Sequence, residues 1–85
     1  MTRQRGQVPS PSPPPPWVLQ RRRQVGERIR AVRLAANLTQ ERLALAAEID
    51  RPSVVRIEQG QQSPTLDTLI RLADAIGVPL RDLVG

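Results

Sequence analysis

The stretch TQERLALAAEIDRPSVVRIEQG, residues 39–60, sets two short amphipathic runs back to back. Thr39 stands where an N-cap belongs: its hydroxyl can accept from a free N–H, and Glu41 complements the positive end of the helix dipole. Leu43, Ala44 and Ala47 follow at spacings of three and four, which predicts a helix over 40–47. Glu48 and Ile49 are the connector, Asp50 is the next N-cap, and Pro52 falls in a first turn, where a missing N–H costs little. Val54 and Ile57 give the next helix, over 51–59, its inner stripe, and Gly60 stops it. Neither helix can bury much alone, so the pair needs a scaffold.

The scaffold lies on both sides. Val18, Val25, Ile29, Val32 and Ala36 recur at helical spacing and predict a first helix over about 23–36, with Val18 as its earliest start. Gly26 weakens its early turns, and Asn37 closes it, since Asn tolerates a left-handed cap. Thr65 caps a fourth helix over 66–76, with Leu66, Leu69, Leu72, Ala73 and Ile76 inward and Gly77 at its end. Pro79 opens a fifth over 80–84, where Leu80 and Leu83 pack back. Five short helices with short connections predict an all-α bundle over residues 23–85. Residues 1–22 are expected to form a disordered Pro/Arg-rich arm whose end borders or joins the first helix. Its PSPSPPPP run is stiff and extended, as a spacer or as a ligand for an aromatic groove on a protein partner.

Composition narrows the function. The chain has 85 residues, no cysteine and no histidine. Disulfides and thiol chemistry are excluded, and the commonest zinc ligands and the usual general base are missing. An enzyme, a metal site and a cofactor are therefore not expected. No apolar run approaches a membrane span, and prolines rather than an apolar core follow the basic N-terminus, so a cytoplasmic protein with no membrane partner is expected. All 13 basic residues are arginine. Five lie in residues 1–23 without an acid, while residues 24–85 hold eight arginines and eight acids. A basic arm beside a neutral fold is a footprint for nucleic acid, and the arginine fork suits phosphates and base edges. Trp17 is the only aromatic residue, so no stacking platform for single strands can be built.

Residues 24–84 resemble the Cro/repressor-type (XRE) helix-turn-helix family. The matching segments are GERIRAVR at 26–33, LTQERLA at 38–44, RPSVVRIEQG at 51–60 and SPTLDTLIRLADAIGV at 63–78. The resemblance implies a lambda-repressor-like bundle and a transcriptional regulator that binds double-stranded DNA, commonly as a homodimer on an inverted repeat. Small members include restriction-modification controllers, antitoxins and phage repressors. The third helix would lie in the major groove while the second crosses the backbone. Carried over by position, Gln40 meets a phosphate and Thr39 adds a backbone contact. Arg51, Pro52, Val55 and Arg56 occupy the exposed positions of the recognition helix. Each arginine contacts a guanine edge or a phosphate. Val55 touches a thymine methyl or is simply exposed. Pro52 fills space or touches a methyl, and Ser53 bonds a phosphate or completes the cap with Asp50. Arg33 and Glu58 match a pair that ties the first helix to the third. Glu48 departs from the family, which often has glycine there because the turn commonly wants positive φ.

A different class stays open at this level. The neutral bundle and the Pro-rich arm are also what a protein-interaction module, antitoxin-like or adaptor, would carry. Ile70, Leu80 and Val84 are the apolar residues assigned to a dimer surface.

Overall fold

A computed structural model describes residues 12–85, which form five helices and no strand. They are α1 (Pro16–Ala35), α2 (Gln40–Ala47), α3 (Arg51–Glu58), α4 (Leu66–Ile76) and α5 (Arg81–Val84). The predicted α2 and α4 match these bounds, and α3 and α5 each differ by one residue at one end. The expected disorder of residues 1–11 lies outside the described residues.

The first helix differs more. It begins at Pro16 rather than near residue 23, two residues before the earliest expected start at Val18, so residues 16–22 are helical and join α1. Pro16 sits in the first turn, where its fixed φ suits a helix and its missing N–H is no loss. The extension is anchored: Arg22 Nε donates to the Gly60 carbonyl at 2.9 Å, and Val18 and Val25 line a groove with Pro64 and Leu69. Only the run of arginines after prolines made this segment look like an arm.

Each turn is fixed by a nameable device. Thr39 Oγ1 accepts from the Arg42 N–H at 3.0 Å, and Thr65 Oγ1 from the Thr68 N–H at 3.1 Å. Asn37 and Glu48 both take φ 59°, and Gly77 takes φ 90°. After α2 the Ile49 N–H reaches back to the Ala44 carbonyl at 3.0 Å, so the chain reverses direction within the connector.

The core is Ile29, Leu43, Ala44, Ala47, Val54, Ile57, Leu72, Ala73 and Leu83, with Val25, Val32, Leu38, Ile49, Leu69 and Ile76 packed around it. α2 packs on α3 and α4, while α1 packs on α3 and α5. Leu66, expected inward, is 61% exposed. It lies at the very start of α4, one residue after the cap, before the helix meets the core. Ala36 is likewise exposed, beyond the end of α1.

Gly26 has a structural reason. A β-carbon there would lie 2.7 Å from the Glu58 carbonyl oxygen and closer still to that of Ile57. Its missing side chain lets α1 approach the end of α3 backbone to backbone.

Candidate nucleic-acid interface

The sequence-predicted residues lie on α2 with its cap Thr39 and on α3, with Arg33 reaching them from α1, and Glu58 organises them. Arg33 Nε donates to Glu58 Oε2 at 2.6 Å and Arg33 Nη2 to Glu58 Oε1 at 3.0 Å. Arg33 Nη1 donates to the Leu38 carbonyl at 2.8 Å. Both partners are buried, so this is a two-pronged charged pair inside the fold. It joins α1 to α3 and clamps the start of the connector before α2. Among the described residues, no buried side-chain nitrogen or oxygen lacks a partner.

Gln40 completes the arrangement. Its Nε2 donates to Glu58 Oε1 at 3.1 Å. A carboxylate can only accept, so the amide must turn its NH₂ toward Glu58. One N–H is thereby used and the second is free. The glutamine at the head of α2 is held in place from below and keeps a donor to offer outward. Thr39, Gln40, Glu41, Arg33 and Arg51 together line one shallow recess between the starts of α2 and α3.

On α3, Val54, Ile57 and Glu58 face the interior, while Arg51, Pro52 and Arg56 are exposed and Val55 and Ser53 are half-buried. Alternation at helical spacing thus leaves two arginines and a proline on one outward face.

Asp50 caps differently than expected. It accepts no backbone N–H through its side chain; its Oδ1 accepts from the Ser53 hydroxyl at 2.6 Å. Pro52 explains this. The second helical residue normally offers the N–H that a cap takes, and proline has none. The Ser53 N–H is taken by the Asp50 carbonyl at 3.1 Å. The hydroxyl proton of Ser53 is therefore used locally in the free chain, as the cap alternative has it. That hydroxyl is also the main reason the Asp50 carboxyl titrates below the usual aspartate range. A depressed carboxyl favours the folded chain above its ordinary value, and this is lost as pH falls through the lowered one.

One contact had no sequence signal beyond loop composition. Arg56 Nε donates to Gln62 Oε1 at 2.9 Å, linking the recognition face to the loop after α3.

The chain is similar to known proteins in sequence and in fold. A family model described as helix-turn-helix covers residues 29–83. The control protein C.BamHI from Bacillus amyloliquefaciens is 33% identical over 60 residues, covering 69% of this chain and 74% of that protein. An immunity repressor protein from Bacillus phage phi105 is 39% identical over 61 residues, or 72% of this chain, which spans only 42% of that repressor's length. Among solved structures, the restriction-modification controller protein C.AhdI from Aeromonas hydrophila superposes with a TM-score of 0.71 at 36% identity. That match covers 72% of this chain and 92% of the controller.

Proposed function

The chain belongs to the helix-turn-helix family of the Cro/repressor (XRE) type, whose members are DNA-binding transcriptional regulators and not enzymes, and on that footing we propose that it binds an inverted-repeat operator in double-stranded DNA as a homodimer. The observation that carries this reading is the division of α3. Its inner face is locked by Val54, Ile57 and the Arg33–Glu58 pair, and its outer face offers Arg51 and Arg56 to solvent.

In this reading α3 enters the major groove. Arg51 forks onto guanine O6 and N7, the commonest specific contact, and Arg56 is the second reader. Pro52 and Val55 offer apolar surface suited to a thymine methyl. Gln40 gives its free N–H to a phosphate, and the backbone at Thr39 adds a second such contact. A dimer would place two half-sites roughly 34 Å apart. Ile70 and Val84, each about half exposed, and the partly buried Leu80 are the surface assigned to dimerisation. Among the described residues no helix is long and apolar enough to cross a membrane, and a cytoplasmic site of action suits a DNA ligand.

Selection of duplexes from a random pool tests this. A palindromic winner with G·C pairs in its half-sites is expected, and Arg51→Ala should relax selection at one position per half-site. No enriched sequence, with only weak salt-sensitive binding, would contradict it and favour a protein-interaction role for the bundle.

A further inference from the structure

The recognition face carries two arginines, and only one of them is held. Arg51 makes no side-chain hydrogen bond among the described residues, whereas Arg56 is gripped at both ends. At its base, the Arg56 carbonyl accepts from the Gln61 N–H at 2.8 Å and the Gln62 N–H at 3.3 Å. At its tip, the Arg56 Nε donates to Gln62 Oε1 at 2.9 Å. The loop thus folds back on the residue it follows. Gly60, at φ 74°, makes the reversal, and the Arg23 side chain lies against it and leaves no room for a β-carbon.

This closure has a chemical consequence. An exposed arginine is long and samples many rotamers in water. Tying Nε fixes the chain up to the guanidinium plane. It also removes the side-on edge, formed by Nε and one Nη, from the ways the fork can dock. The end-on edge, with one N–H from each of Nη1 and Nη2, stays free. That edge suits the paired acceptors of guanine, O6 and N7. Gln62 holds its carbonyl toward Arg56, so its own NH₂ points away from the guanidinium.

We propose that Gln62 is a positioning residue for base reading: it sets the Arg56 fork end-on and so governs selectivity at the base pair that Arg56 reads, without touching that base. The inference rests on the base-reading role given to Arg56 above. It assigns to the loop after α3 a part in specificity, whereas the recognition helix alone is the obvious place to look for it.

The test uses the full chain and the duplex selected from the random pool. Wild type, Arg56→Ala, Gln62→Ala and the double variant are compared for binding to every single-base change in one half-site. A bidentate arginine supplies roughly five- to 150-fold discrimination. Gln62→Ala should lose roughly three- to tenfold of it, at the position that Arg56→Ala relaxes and at no other. In the Arg56→Ala background, Gln62→Ala should change nothing further, because coupled residues are not additive. Equal weakening on all sequences, or an effect that persists without Arg56, would overturn the inference by making Gln62 an independent contact. An unchanged preference in Gln62→Ala would overturn it too. If Arg56→Ala itself leaves every position intact while Arg51→Ala does not, base reading by Arg56 is wrong and the inference falls with it. Unfolding curves of Gln62→Ala that overlay wild type confirm that the loop change leaves the fold intact.

Discussion

Glu58 is the residue on which the arrangement turns. It is buried, and its two oxygens accept three donors, two from Arg33 and one from Gln40. Removing one partner of such a pair strands a charge in a poorly solvated site. Arg33→Ala should therefore cost about 3–5 kcal/mol in urea unfolding, against almost nothing for the exposed Arg81→Ala. Replacing both members with apolar residues of similar volume, as Met and Leu, should cost far less than either single change. Glu48 makes the opposite prediction. Its φ of 59° is strained for a residue with a β-carbon, on the order of 1 kcal/mol. Glu48→Gly should relieve this and raise stability by roughly 0.5–1 kcal/mol, the flexibility of glycine in the unfolded chain offsetting part of the gain. Thermal unfolding measures it, and a destabilised variant would refute the strain.

At the scale of elements, the sequence made the interior legible and the long-range contacts less so. The apolar period placed Leu43, Ala44, Ala47, Val54 and Ile57 inside, and the cap residues Thr39 and Thr65 marked helix starts within a residue. Both signals are local, carried by neighbours along one helix. The early start of α1 was legible only as an option, through Val18, because its anchor is not local: Arg22 reaches Gly60, 38 residues away. Gly26 was hidden for the same reason, since what forbids a side chain is the backbone of α3. The residues of the candidate interface were legible through family position. Their bonds to one another were not, and Gln62 stood only as loop polarity. Gly26→Ala separates local from tertiary effects directly. Helix propensity favours alanine by about 1 kcal/mol. The clash with the Ile57 and Glu58 carbonyls should exceed that and leave the variant less stable by roughly 1–3 kcal/mol. A stabilised variant would show that α1 and α3 are not in such close contact.

For the whole molecule, charge and assembly decide how the fold acts. Of the net charge of +5, two arginines lie in residues 1–15, while the helical bundle from Pro16 onward holds eleven arginines against eight acids and so carries +3, three of its arginines standing on the early turns of α1. The proposed dimer would add to this by engaging two half-sites at once. Ile70→Asp, on the exposed part of α4, should shift the chain toward monomer in sedimentation and weaken binding to a full operator far more than to a half-site. A wild-type chain that stays monomeric both free and on DNA would contradict the dimer. The central claim, that Arg51 on α3 reads guanine in the major groove, has a sharper test. Each guanine of the selected operator is replaced in turn by 7-deazaguanine, which removes the N7 acceptor and leaves base pairing intact. One guanine per half-site should prove sensitive to the replacement in wild type and insensitive in Arg51→Ala, while a guanine read by Arg56 keeps its sensitivity in that variant. The same set of sensitive guanines in Arg51→Ala as in wild type, or no sensitive guanine in wild type, would contradict the account.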